Sequence, residues 1–380
     1  MKKKFFVIGF FVLFYILGCK QIQKATDFVV KPSAREIYER PFKDSIDIFQ
    51  RWQQSAEMAI MDSLKVATPY TENGVFNKNE NPVLSYNLHL SPGRILNVGL
   101  QLDHPKHLVF IELFKITRDS LATLEQVASS ELNQKSISFE VKDGGIYKIR
   151  VQPELGISST FALTIQSLPL YHTFPVAGKS DTAIQSFWGA ARDGGKRKHE
   201  GIDIFAKRGT PVVAVNKGSI RYSGEKGLGG KQVWLRDAQN NCSLYYAHLD
   251  SITVKSGGQV KEGDTLGFVG NTGNASKTVP HLHFGIYKGF SGAVDPFPFL
   301  KQEKLPSFPD VSKNYSQKLI VKSSVANIRN SPTTKTSQIL GTATKNDTLH
   351  FMGATNDWFH IETLTKQAGF IHKSLVKNLN

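Results

Sequence analysis

The sequence predicts a mainly β protein: an antiparallel β-sandwich, a second antiparallel β-sheet unit and a small closing β-barrel, with a helical segment in front. Three observations predict this. From about residue 80 onward, short apolar runs rich in β-branched and aromatic side chains alternate with turn residues. Helix-like spacing of apolar residues is confined to one earlier stretch. The chain has 380 residues, 40% hydrophobic and 21% charged, which is ordinary for folded protein and long enough for two or three domains.

In MKKKFFVIGFFVLFYILGC, three lysines precede an apolar run from Phe5 to Leu17. That run is short for a bilayer crossing and suits the core of a signal peptide. A buried helix would have no use for the basic prefix or for the Gly18-Cys19 pair. Ile16-Leu17-Gly18-Cys19 resembles the lipobox of bacterial lipoproteins, with Leu17 bulkier than the residue usual at its position. The resemblance implies a signal peptide over 1–18, a diacylated Cys19 as the new amino terminus, and a tether over 19–32 held to membrane lipid. The mature chain is then exported and sits in the cell envelope, on its periplasmic or cell-surface face.

Losing Lys2, Lys3 and Lys4 with that signal takes the formal charge from +15 to +12. Such a balance favours anionic partners: lipid headgroups, cell-wall polymer or nucleic acid. Export excludes nucleic acid. Cys242 is the only cysteine besides Cys19, so no internal disulfide forms after lipidation, and its simplest place is a buried strand position.

Residues 33–70 form the helical segment, with Ile37, Ile48, Trp52, Ala56, Ala59, Ile60 and Leu64 at helical spacings interrupted near Pro41. Residues 80–168 hold VLSYNLHL, ILNVGLQL, LVFIELFKI, SISFEV, IYKIRVQ and FALTIQ, parted by SPG and DGG, the pattern of a sandwich. Its end, GGIYKIRVQPELGISSTFALTI, resembles the last hairpin of small jelly-roll modules that accompany secreted peptidases. His89, His104 and His107 show no metal spacing and read as surface or packing residues.

Residues 171–303 hold the chemistry. HLHFG puts His281 and His283 two apart in a strand-like run, where side chains at i and i+2 share a face. Upstream, KHEGIDIF sets His199 and Asp203 four apart. A helical His-Glu-x-x-His zinc motif with Glu200 as base does not fit. The fifth position is Asp203, Gly201 beside Ile202 and Ile204 makes a poor helix interior, and in an extended backbone Glu200 faces away from His199. His199, Asp203 and one histidine of the His-x-His pair instead supply two imidazoles and a carboxylate. That set leaves a position open for water and keeps the ion acidic enough for catalysis.

HEGIDIF, YYAHL and GNTGNASKTVPHLHFGIY, in this order, resemble the lysostaphin-like, or LytM-type, zinc metallopeptidases that cut peptidoglycan peptides. The resemblance covers about a third of the chain. It implies Zn2+ held by His199, Asp203 and His283, with His248 and His281 as catalytic groups that move protons and stabilise the tetrahedral intermediate. It also implies a peptidoglycan endopeptidase rather than one of the degenerate relatives that lack ligands and only activate other hydrolases. Tyr246, two before His248 on a presumed strand, faces the same way, as a groove hydrogen-bond donor or a cross-strand packing residue. Phe187 and Trp188 stand where the family has an aromatic-glycine pair lining the cleft. Gly270, Asn271 and Gly273 shape the turn that presents His281, with Asn271 at the groove.

Residues 304–318 read as a proline-broken polar linker. Residues 319–377 resemble bacterial SH3-like domains: ANIRNSP opens, DWFHI follows the distal turn and GFIHKSLV closes, with Phe370 where tryptophan is common. Trp358 and Phe359 are a ligand platform or core. The linker permits this domain to hold wall polymer or peptide, or to cover the groove. No feature specifies a regulatory protein partner.

Overall fold

The computed structural model describes residues 32–42, 47–78, 80–117, 123–305 and 317–379. The expected signal peptide, Cys19, the expected tether up to residue 31 and residues 306–316 of the expected linker lie outside the described residues. Two helices come first. α1 (Ala34–Glu39) starts at a reciprocal cap, in which Ser33 Oγ accepts from Glu36 N (3.2 Å) and the Glu36 carboxylate accepts from Ser33 N (2.7 Å). After it the chain tightens into a 3-10 turn at Arg40–Phe42, where Pro41 has no amide hydrogen to donate. α2 (Asp47–Ile60) buries Phe49, Trp52 and Ala56 and leaves Ile48 exposed. The Trp52 indole donates to the Pro153 carbonyl (2.9 Å), fixing the helix to the strands that follow.

Those strands are β1 (Tyr70–Phe76), β2 (Leu84–Leu90), β3 (Arg94–Leu102), β4 (Val109–Thr117), β5 (Thr123–Ser129), β6 (Ser136–Val141), β7 (Gly145–Pro153) and β8 (Ser159–Pro169). One sheet runs β2-β7-β4-β5, and β1-β8-β3-β6 run together in another, all antiparallel. Alternating side chains from both, among them Tyr86, Ile111, Ile149 and Leu163, form a core sealed from water.

The next unit comprises β9 (Ile184–Ser186), β10 (Ala191–Arg192), β11 (Arg197–Lys198), β12 (Ile202–Phe205), β13 (Pro211–Val213), β14 (Gly218–Glu225) and β15 (Lys231–Asp237). It continues with β16 (Cys242–Ala247), β17 (Leu249–Ile252), β18 (Gln259–Val260), β19 (Thr265–Val269), β20 (His281–Tyr287) and β21 (Ala293–Val294), and then a one-turn helix, α3 (Phe297–Leu300). The main sheet runs β18-β14-β15-β16-β20-β12-β9, with a small β13-β19-β17 sheet beside it. Ile202, Ile204, Leu244, Tyr246, Leu282 and Phe284 point to the shared core. By alternation Asp203, Tyr245, His281 and His283 stand on the opposite face. Arg94 bolts this unit to the sandwich: its Nε donates to Ser167 Oγ (2.9 Å), while one terminal nitrogen donates to the carbonyls of Pro298 (3.0 Å) and Lys301 (2.6 Å).

The chain ends in β22 (Lys318–Val321), β23 (Val325–Arg329), β24 (Ile339–Thr344), β25 (Thr348–Thr355), β26 (Trp358–Glu362), β27 (Ala368–His372) and β28 (Val376–Asn378). Their ladder runs β24-β23-β27-β26-β25, and β22 pairs with β25 and β28. β25 also pairs with β1, Asn73 opposite Ala354 and Gly74 opposite Gly353, so the sandwich sheet continues sideways into this unit. Trp358 and Phe370 lie within the sandwich's core and Phe359 within the unit's own. Of the two readings of Trp358 and Phe359, core is therefore the right one. Among the described residues no helix is long and apolar enough to cross a membrane.

Candidate metal centre

Three neighbouring strands assemble the site. β12 pairs with β20 so that Asp203 lies opposite His283, and β20 pairs with β16 so that His283 lies opposite Ala247. The His199–Asp203 stretch is extended, as the glycine and β-branched residues require: β11 ends at Lys198 and β12 starts at Ile202. Gly201 lets His283 approach, because a Cβ there would stand 2.7 Å from His283 Cε1 and 2.5 Å from the Phe284 carbonyl oxygen.

His199 Nε2, His283 Nδ1 and Asp203 Oδ1 converge. The two imidazole nitrogens are 3.0 Å apart, and Asp203 Oδ1 is 3.0 Å from His199 and 3.1 Å from His283. His199 Nδ1 lies 3.0 Å from the Phe187 carbonyl. Only a protonated nitrogen can bond a carbonyl, so Nε2 keeps its lone pair and points it into the cluster. An ion bound tetrahedrally at about 2.0–2.1 Å spaces its ligands about 3.3 Å apart, so this donor set fits one zinc-sized ion. Burial acts to raise the Asp203 carboxyl, but hydrogen bonds and charge from His199 and His283 outweigh it and hold the group well below the usual carboxylate range. Burial lowers His283, outweighing the opposing hydrogen bond and charge of Asp203, and the charges of His199 and His281 add to the lowering.

His248 and His281 stand beside the cluster, their rings 5.1 Å apart. Each directs Nδ1 to a backbone carbonyl, Thr272 at 3.0 Å for His248 and Val279 at 2.8 Å for His281, which leaves Nε2 for the cleft. Phe205 stacks on His281 at 5.0 Å. Burial, then the charges of His283 and His281, lower His248 to about 4, so it is a neutral imidazole near pH 7. The cleft has a volume of about 470 Å³; among the described residues those lining it fall between 186 and 287, so none of β22–β28 contributes to its walls.

Tyr246 requires a correction. It is fully buried in the core, with its hydroxyl accepting from Val215 N at 3.2 Å. The inference that it shares a face with His248 fails because His248 has φ 64, which ends the strand's alternation and turns its ring to the other face. Tyr245 lines the cleft instead, edge-on to His283 at 5.6 Å. Trp188 and Asn271 are absent from the cleft lining. Asn271 accepts from Arg208 and donates to the carbonyls of Ser276 (3.3 Å) and Thr278 (3.1 Å), holding the loop before His281. Glu200 accepts from Tyr287 at the rim (3.3 Å). Cys242 is buried and its thiol is pushed up to about 11 by burial, as suits a packing residue. Sequence reading missed Arg192, which donates to Asp203 Oδ2 (2.6 Å) and Ser186 Oγ (2.7 Å) and so leaves Oδ1 as the oxygen facing the cluster. Nothing in its spacing announces that contact.

Residues 197–296 match the family model for Peptidase family M23, and residues 324–377 match that for Bacterial SH3 domain. Residues 197–296 are a peptidase family M23 domain. Around it the chain is 39% identical over 141 residues to the L-Ala–D-Glu endopeptidase of Bacillus subtilis (strain 168), covering 34% of this chain and 43% of that protein. It is 41% identical over 107 residues to lysostaphin of Staphylococcus staphylolyticus, covering 27% of this chain and 22% of that protein. The chain thus spans less than half the length of these curated relatives. The solved catalytic domain of lysostaphin from Staphylococcus simulans is 36% identical, covering 31% of this chain and 92% of that one, with a TM-score of 0.29. All three ligand candidates and both flanking histidines fall inside the M23 domain.

Proposed function

We propose that this chain is an exported, lipid-anchored zinc metalloendopeptidase that hydrolyses peptide bonds in peptidoglycan. The observation that carries the reading is the convergence of His199 Nε2, Asp203 Oδ1 and His283 Nδ1 in a cleft flanked by His248 and His281. The similarity to an L-Ala–D-Glu endopeptidase supports wall peptide as the substrate class. Zinc held by His199, Asp203 and His283 would supply Lewis acidity, making water nucleophilic near neutral pH and polarising the scissile carbonyl.

The remaining work falls to the chain's own groups. Arg192 holds Asp203 Oδ2, and the Phe187 carbonyl holds His199, so the ligand atoms are aimed before an ion arrives. His248 and His281 carry the hydrogen on Nδ1, so each Nε2 is available to take a proton from attacking water, and once protonated to stabilise the oxyanion or protonate the leaving amine. A positioned acid or base of this kind contributes about 10²- to 10⁴-fold in rate. Glu200, bonded to Tyr287 at the rim, has no part in proton transfer. Intact ligands argue against a wall-binding activator without chemistry. Lipidation at Cys19 would keep the enzyme at the envelope.

Zinc-loaded protein incubated with purified sacculi, with soluble products read by mass spectrometry, tests the reading. New peptide-bond cleavage products are expected from the intact protein and not from His281→Ala, which should still bind zinc. Identical product profiles for the two proteins sink it. For the anchor, Cys19→Ser should move the protein out of the membrane fraction.

A further inference from the structure

A second hollow opens beside the cleft, on the same face of the main sheet. Tyr222 of β14, Trp234 of β15 and Tyr245 of β16 form one cross-strand row, and Tyr245 also lines the cleft. Tyr245 stacks on one side of Trp234 with ring centres 4.4 Å apart, and Tyr287 tilts against it at 5.0 Å. On the other side Tyr222 is the direct ladder partner of Trp234, yet the two rings make no contact. A register shift between Ile220 and Tyr222 leaves Arg221 as an extra residue in β14, and such a bulge bends the strand away locally. A hollow of about 550 Å³ is walled by both rings and shares Leu228, Gly229 and Tyr245 with the cleft. Its size falls in the range of small-ligand sites, about 300–1,000 Å³. Gly229 leaves the shared stretch clear, because a Cβ there would overlap the Tyr245 hydroxyl and crowd Gln232. Two polar side chains of the hollow are committed: Gln232 donates to the Lys226 carbonyl (3.1 Å) and the Tyr222 hydroxyl to the Glu225 carbonyl (3.3 Å). Among the described residues the Trp234 indole N–H, the Tyr245 hydroxyl and the Lys226 ammonium have no hydrogen-bond partner.

A ligand here meets aromatic faces and three unused donors together. A pyranose ring answers both, since its faces carry C–H groups and its rim carries hydroxyl and acetamido oxygens. An apolar side chain would cover the donors without pairing them, which costs free energy, and a bare carboxylate has no face for the rings. We propose that this hollow binds a sugar ring of the glycan strand while the cleft takes the peptide attached to that strand. The inference rests on the endopeptidase reading and deepens it. The spacing agrees: Tyr245 stands 5.6 Å from His283 and Trp234 a further 4.4 Å from Tyr245, a span that an extended peptide covers in about three residues. Sugar and scissile bond then belong to one stem.

Two measurements on the full zinc-loaded protein test this. In the first, kcat/KM is compared for a stem peptide carrying its disaccharide and for the same peptide without sugar. In the second, the tetramer of N-acetylglucosamine, which contains no peptide, is titrated directly. Wild type should favour the sugar-linked peptide about tenfold and bind the tetramer. Tyr222→Ala and Trp234→Ala should bring the ratio near one and lose the tetramer, whereas Tyr222→Phe, which keeps the ring, should keep both. Trp234→Ala also removes the stack on Tyr245, so Tyr222→Ala, whose ring lies outside the cleft lining, decides if that variant is inactive. A wild-type ratio near one, or a ratio unmoved in Tyr222→Ala, overturns the inference and leaves the endopeptidase intact. Equal slowing on both substrates also overturns it, since the hollow would then hold peptide. No product from either substrate overturns the endopeptidase reading, and the tetramer titration then decides the sugar site by itself: binding lost in Tyr222→Ala upholds it, and no binding by wild type sinks it.

Discussion

Gly201 controls how closely His283 can approach His199 and Asp203. A methyl group there would meet both the Phe284 carbonyl and the His283 ring inside van der Waals contact. Gly201→Ala should therefore cost about 1–3 kcal/mol in stability by overpacking, and by displacing His283 should weaken zinc binding at least tenfold. Chelator competition on the purified variant measures the second effect, and wild-type zinc affinity would refute the crowding argument. His248 shows the opposite use of backbone. An ordinary extended residue at that position would point into the core on the face of Tyr246, whereas φ 64 turns its imidazole to His281. The residue types that converge in the cluster were legible in the sequence, because few side chains offer a metal an imidazole nitrogen or a carboxylate oxygen. Strand alternation points to Tyr246 rather than Tyr245 only when it is carried one residue past the end of β16, where the backbone reverses.

Among elements, strand register does the assembling. Asp203, His283 and Ala247 form one row across β12, β20 and β16, and a one-residue slip of β20 would turn both histidines into the core. The joint with the sandwich depends on Arg94, a buried guanidinium that bonds Ser167 and the carbonyls of Pro298 and Lys301 and lies 3.3 Å from Glu303. Burial lowers the Arg94 pKa, with Glu303 opposing that effect. Arg94→Ala strands several acceptors at once and should cost about 3 kcal/mol, read as a shift of the urea midpoint. Arg94→Lys should recover little, since a single ammonium cannot reach partners set around a planar fork. A midpoint within error of wild type for the alanine variant would show the joint to be held by apolar packing alone.

Across the whole molecule, the carboxy-terminal unit is built into the sandwich rather than hung from it. Besides the β1–β25 pairing, Glu72 lies fully buried between the two, accepting from the hydroxyls of Tyr70 (2.6 Å) and Tyr86 and facing His360 Nδ1 at 3.0 Å. Gly353 makes room for it, because a Cβ at that position would overlap the Glu72 carboxylate. Burial acts to raise Glu72, but the charge of His360 and the hydrogen bonds of His360, Tyr70 and Tyr86 outweigh it and hold the carboxyl below its ordinary value. The unfolded chain then takes up the proton first as pH falls. Stability from this group is complete above the ordinary glutamate range, near pH 4.3, and is lost as pH drops towards the folded value. Melting temperature should fall more steeply between about pH 6 and pH 3 in the wild type than in Glu72→Gln, which starts lower. Parallel curves would show that the Glu72 charge does not couple the two units.

Sequence by itself determined which residue types meet in the candidate centre, the order of the motifs, the mainly β architecture and the turns between strands. These follow from residue type and local spacing, which a linear chain displays directly. Tertiary structure alone decided that Arg192 secures Asp203, that Tyr245 rather than Tyr246 faces the cleft, and that Trp358 packs into the sandwich core instead of meeting a ligand. Each of those depends on a contact between segments whose separation carries no periodic signal, or on one backbone angle that reverses the face a side chain occupies. An edge strand such as β25 satisfies its free amides and carbonyls with whichever partner the folded chain presents, and only the fold presents β1.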